Sequence, residues 1–130
     1  MKPRVLIVND DEAITQQLFW TLCEEYDVVT ANNLQSAVRR ATIYEPDVSI
    51  LDLQMPKAID SPEIGLPIIE YIKAHLPKSK ILVMTPMNLI EKIKAYYEVG
   101  VDEYLGKPFD TARLLSTLRR LTAARLLEVI

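Results

Sequence analysis

Apolar residues in this chain gather in five short runs, at Arg4 to Val8, Tyr26 to Ala31, Val48 to Met55, Lys80 to Thr85 and Val101 to Leu105. Runs of this length, rich in β-branched residues and bounded by polar or turn-forming positions, predict strands of a buried parallel sheet. Between them the apolar positions recur every three or four residues. Ile14, Leu18 and Leu22 mark a first helix, and Leu34, Ala37, Val38, Ala41 and Tyr44 a second. Leu66, Ile69, Ile72 and Leu76 mark a third, and Leu89, Ile93 and Tyr96 a fourth. A last stripe runs from Leu115 through Leu118, Leu121, Ala124 and Leu127 to Ile130.

The boundaries carry their own signals. Asn32-Asn33 is a helix-capping pair before the second helix, Pro77 stops the third, and Asp110 caps the last. Asn88 with Glu91 three residues on predicts a capping box for the fourth helix, which closes at Gly100. Five strands alternating with five helices define an α/β fold, a single doubly wound (βα)5 unit around a parallel five-stranded sheet, with right-handed crossovers. No internal repeat, low-complexity tract or linker interrupts it.

Four strands in turn end in a polar residue: Asp10 after the first, Asp52 after the third, Thr85 after the fourth and Lys107 after the fifth. In a parallel sheet those ends share one edge, where open α/β sheets bind ligands. Each residue alone has an ordinary reading, Asp10 as a helix cap, Thr85 as a strand-end residue, Lys107 as solvated surface. Together they place two carboxylates, a hydroxyl and an ammonium at one crevice. Carboxylates there suit Mg²⁺, a hard cation that takes oxygen ligands. With a lysine and a hydroxyl alongside, they are the equipment for phosphoryl transfer to Asp52, a reaction governed by positioning and charge neutralisation.

Composition excludes more than it adds. A length of 130 residues with 49% hydrophobic content is one domain with a sizeable core. A net charge of −3 gives no basic footprint for nucleic acid. The apolar run after Met1-Lys2-Pro3-Arg4 is too short for a signal-peptide core or a membrane span, so a cytoplasmic protein is expected. The single cysteine, Cys23, excludes an internal disulfide and is expected in the core. The single histidine, His75, excludes a paired-histidine metal site. No glycine precedes Gly65, so no phosphate-binding glycine loop follows the first strand.

Val8-Asn9-Asp10-Asp11-Glu12, Leu51-Asp52-Leu53-Gln54-Met55-Pro56, Val83-Met84-Thr85 and Tyr104-Leu105-Gly106-Lys107-Pro108-Phe109 resemble, in order and spacing, the motifs of response-regulator receiver domains of two-component signalling. The resemblance implies the flavodoxin-like, CheY-like strand order 2-1-3-4-5, with residues 1–122 as the receiver. Residues 123–130 would extend the last helix toward an output domain. It implies that Asp52 accepts a phosphoryl group from a sensor histidine kinase or phosphotransfer protein, and that the domain is a signalling phosphoacceptor rather than an enzyme. Asp10, Asp52 and the backbone carbonyl of Gln54 would hold Mg²⁺, with Asn9 acting through water. Thr85 and Lys107 would contact the phosphoryl group, and Thr85 with Tyr104 would form the switch. The Lys107-Pro108 peptide would be cis. Output, including a homodimer, is expected through the face of the fourth helix, fifth strand and fifth helix, where Ile90, Lys94 and Tyr97 face outward beside Tyr104. No direct nucleic-acid or membrane contact is implied.

Three departures accompany the resemblance. Asn9 stands where an acid is usual, so weaker Mg²⁺ binding is expected, with Asp11 compensating if its loop turns inward. Lys57 to Ile64 is a longer loop than usual beside Asp52, and Pro86 follows Thr85 where a small residue is usual. The alternative is a degenerate pseudo-receiver, an interaction module that works without phosphorylation.

Overall fold

The computed structural model describes residues 2–52, 66–96 and 100–129, the side chains of residues 66, 95, 96, 128 and 129 excepted. Gln54, the 57–64 loop and Tyr97 lie outside the described residues. Five strands, β1 (Arg4–Val8), β2 (Asp27–Ala31), β3 (Val48–Asp52), β4 (Lys80–Pro86) and β5 (Glu103–Lys107), form one parallel sheet in the order β2-β1-β3-β4-β5. They alternate with α1 (Glu12–Leu22), α2 (Leu34–Tyr44), α3 (Leu66–His75), α4 (Ile90–Tyr96) and α5 (Thr111–Val129). This is the expected doubly wound fold and strand order.

The sheet's two faces carry separate cores because successive side chains on a strand point to opposite sides. Leu6, Leu51, Ile81 and Val83 face α2, α3 and α4, meeting Ala37, Ala41, Ile69, Ile72 and Ile93. Val5, Ile7, Val48, Ile50, Leu82 and Met84 face α1 and α5, meeting Leu18, Leu22, Leu114, Leu118 and Leu121. The alternation along β3 puts Asp52 on the same side as Val48 and Ile50, toward α1 and α5.

Several helix ends follow the sequence. Asn33 caps α2 in a capping box with Ser36, and Asp110 Oδ1 accepts from Arg113 N at 2.8 Å to open α5. Others do not. Asn88 caps nothing: Met87–Leu89 forms a 3₁₀ turn that passes into α4 without a non-helical residue between, so no N-cap geometry exists at 88. β5 begins at Glu103 rather than Val101, because Asp102 turns its carboxylate onto the Ile81 N–H at 2.8 Å before the ladder starts. Cys23 is the partly exposed C-cap of α1, not a core residue. Among the described residues no helix is long and apolar enough to cross a membrane.

Candidate functional site

Register builds the site. β1 and β3 pair Val8 with Leu51, so the next residues, Asn9 and Asp52, leave their strands level with each other. Across β3, Asp52 pairs with Met84, which brings Thr85 one step beyond it. β4 and β5 pair Pro86 with Lys107, and the long lysine side chain reaches back over the end of β4. Lys107 Nζ donates to Asp52 Oδ1 at 2.5 Å. Asn9 Nδ2 donates to the other carboxylate oxygen, Oδ2, at 2.9 Å. The structure thus brings Asp52, Lys107 and Asn9 into direct contact.

The Asp52 side chain has no solvent-exposed area, whereas that of Lys107 is 26% exposed. Burial pushes the Asp52 pKa above its ordinary value. The hydrogen bond and charge of Lys107 oppose that rise, and the neighbouring charges of Asp10 and Asp11 add to it. Thr85 is buried, and its hydroxyl finds no hydrogen-bond partner among the described residues. A buried hydroxyl without a partner is costly, and such groups concentrate where a ligand completes the bonding. Tyr104, paired with Val83 one alternation before Thr85, is half-buried on the same face of the sheet, with Lys94 Nζ 5.6 Å from its ring centre.

The three acids after β1 divide their work. Asp11 is the N-cap of α1, its Oδ1 accepting from Ala13 N at 3.0 Å and Ile14 N at 3.2 Å. It is therefore not turned inward to stand in for an acid at position 9. Asp10 and Glu12 are exposed. Among the described residues no three His, Cys, Asp or Glu side chains cluster closely enough to enclose a metal. The carboxylates of Asp10 and Asp52, close enough for the charge of one to act on the other, are of the oxygen type Mg²⁺ prefers, and an ion that keeps most of its waters needs no more than one or two such ligands.

A cleft of about 330 Å³ opens beside the site, lined by Ile14, Gln17, Leu18 and Thr21 of α1, Asp52, Met84, Lys107, Pro108, Phe109, and Thr111 and Leu114 of α5. The Lys107-Pro108 peptide at its rim is cis. Sequence reasoning missed the direct Asn9–Asp52 bond. The signal that could have found it is the equal offset of Asn9 and Asp52 from the paired ends of β1 and β3.

A doubly wound sheet that buries one aspartate under a lysine at its carboxyl edge defines a class of phosphoacceptor-like domains. The chain belongs to the response regulator receiver domain family, which it matches over residues 5–119. It is 31% identical over 126 residues to the alkaline phosphatase synthesis transcriptional regulatory protein PhoP of Bacillus subtilis, covering 92% of this chain and 50% of that protein. It is 32% identical over 124 residues to the transcriptional regulatory protein PrrA of Mycobacterium tuberculosis, covering 95% and 51%. The chain spans about half the length of these curated relatives. Among solved structures, the signal receiver domain of an HD domain-containing protein from Pseudomonas fluorescens superposes with a TM-score of 0.76 at 25% identity, covering 96% of this chain and 98% of that one. NtrX from Brucella abortus shares the fold, with a TM-score of 0.84 at 23% identity over 98% of this chain and 28% of its own.

Proposed function

We propose that this receiver takes a phosphoryl group on Asp52 from the phosphohistidine of a sensor histidine kinase or of a phosphotransfer protein, in the cytoplasm. An Asp52 oxygen lone pair forms the new P–O bond as the P–N bond breaks, and the departing imidazole keeps the electron pair and is protonated. Lys107 is positioned to follow the charge from the carboxylate to a phosphoryl oxygen. The Thr85 hydroxyl, with no partner among the described residues, is placed to donate to another. Asp10 and Asp52, with the Gln54 backbone carbonyl, would hold Mg²⁺. Mg²⁺, when bound, neutralises phosphoryl oxygens during transfer.

Movement of Thr85 toward the phosphoryl group opens the space beside Tyr104, and the α4-β5-α5 face carries that change to a partner or a second copy. Residues 1–122 act as the receiver, with residues 123–130 as its extension toward whatever it controls. The single observation that carries this reading is the 2.5 Å contact of Lys107 Nζ with a fully buried Asp52, beside the unpartnered Thr85 hydroxyl.

The test is intact mass after incubation with a small-molecule phosphodonor and Mg²⁺. The native chain gains one phosphoryl group, lost with EDTA present, and Asp52→Asn gains none. The pseudo-receiver reading has one observation in its favour, the Asn9 amide already seated on Asp52. It predicts no gain at any Mg²⁺ concentration.

A further inference from the structure

We propose that Asn9 sets the Mg²⁺ concentration at which this site becomes competent, because its amide holds one Asp52 oxygen and competes with a cation for that carboxylate. This rests on the phosphoacceptor reading and concerns the regulation of that same site.

The orientation of the Asn9 amide is fixed by its two partners. Its Oδ1 accepts from the Asp11 backbone N–H at 2.9 Å, and its Nδ2 donates to Asp52 Oδ2 at 2.9 Å. Flipped, the amide would set an oxygen against a carboxylate and an NH₂ against an N–H, so only one orientation satisfies both. Its backbone N–H is tied to Ala31 O at 3.0 Å, and the residue is 3% exposed.

With Lys107 on Oδ1 and Asn9 on Oδ2, each carboxylate oxygen of Asp52 carries a donor from within the chain. The oxygen that Asn9 holds is the one facing β1, the strand that leads directly into Asp10. A cation held by Asp10 and Asp52 would compete with the Asn9 amide for the Asp52 carboxylate. An N–H pointing its positive end at the oxygen repels an approaching cation as well as taking up one of that oxygen's two lone pairs. Rotating the amide away breaks its bond to Asp52 and disturbs the one from Asp11. Asp11 cannot take over, since its carboxylate caps α1. Asn9 is thus a positioning residue that competes with Mg²⁺ rather than helping to hold it through water.

Titration calorimetry with MgCl₂ on the full chain separates the two roles. Asn9→Asp, which removes the donor and adds a carboxylate, binds Mg²⁺ about ten- to hundredfold more tightly than the native chain, the factor a hydrogen bond to a charged group is worth. Asn9→Ala, which removes the donor and adds nothing, binds at least as tightly as the native chain. Weaker binding by Asn9→Ala, or equal binding by Asn9→Asp, overturns the proposal. Should Asn9→Ala not fold, thermal melts of Asn9→Asp carry the test. Two carboxylates then face each other without metal, so Mg²⁺ raises its midpoint far more than that of the native chain, and equal shifts count against competition. Phosphoryl uptake is scored separately by mass. If neither the native chain nor Asn9→Asp takes up phosphate at saturating Mg²⁺, the phosphoacceptor reading fails, while the affinities still judge Asn9.

Discussion

Gly106 of β5 runs so close to Met87 that a Cβ at position 106 would stand 3.0 Å from the Met87 Cα and 2.9 Å from the Ile90 Cδ1. Backbone cannot yield as a side-chain tip can. Gly106 thus lets β5 close against the turn into α4, one residue before Lys107. Gly106→Ala is expected to destabilise the fold by about 1–3 kcal/mol, the usual cost of overpacking, and to loosen the Lys107–Asp52 contact. Denaturant unfolding measures the first effect, and the rate of phosphoryl uptake the second.

The buried carboxylate of Asp52 is held against its own desolvation. Because burial, with the charges of Asp10 and Asp11, outweighs Lys107 in setting its pKa, ionised Asp52 is a net cost to the fold at neutral pH. Asp52→Asn removes that charge, and the new amide still offers an oxygen to Asn9 Nδ2. The variant is expected to melt a few degrees higher than the native chain in EDTA at pH 7, where roughly 3–6 °C corresponds to each kcal/mol in a domain of this size. A lower midpoint would mean that the Lys107 pair outweighs desolvation.

Tyr26, 2% exposed and packed in the core between the sheet, α1 and α5, has its pKa raised by burial, with a hydrogen bond to Thr122 pulling the other way. The sign follows from linkage: a phenol whose folded pKa lies above its unfolded value of 10.0 contributes stability that is full below pH 10. That stability is lost as pH rises through the folded pKa. Tyr26→Phe cannot ionise, so its stability should fall less steeply from about pH 10 upward than that of the native chain, as urea unfolding across that range would show.

Asn33 closes the capping box of α2 through a 2.8 Å bond from Ser36 N. Asn33→Ala is expected to cost about 1 kcal/mol without changing Mg²⁺ binding or phosphoryl uptake, because α2 meets the sheet on the side away from Asp52. Reduced uptake at full occupancy of the folded state would show that α2 communicates with the site.

Much of this was legible in the sequence, for identifiable reasons. The strands announced themselves because a sheet covered on both faces demands near-continuous apolar runs. Asp10, Asp52, Thr85 and Lys107 followed because parallel strands bring their carboxyl ends to one edge. The seating of Asn9 on Asp52 was not legible. It depends on which residues of β1 and β3 come level, and that register is settled by core packing of segments more than forty residues apart. The failure at Asn88 was local: a 3₁₀ turn feeding straight into a helix leaves no extended residue to act as a cap. Asp102 misled for a similar reason, an acid that serves the neighbouring strand's backbone instead of continuing its own.

The length of α5 has a mechanical consequence. Its first turns line the cleft at Asp52 through Thr111 and Leu114, and about four turns after Thr111 Arg125 stands 3.8 Å from Asp47, which lies just before the opposite end of the aspartate's own strand. At the rise of an α-helix, nineteen residues make a rod about 28 Å long. Tilting such a rod by about 5° at the cleft displaces its far end by roughly 2–3 Å. A small adjustment at the Asp52 cleft would thereby be geared up, by leverage alone, to a larger displacement at the far end of the helix.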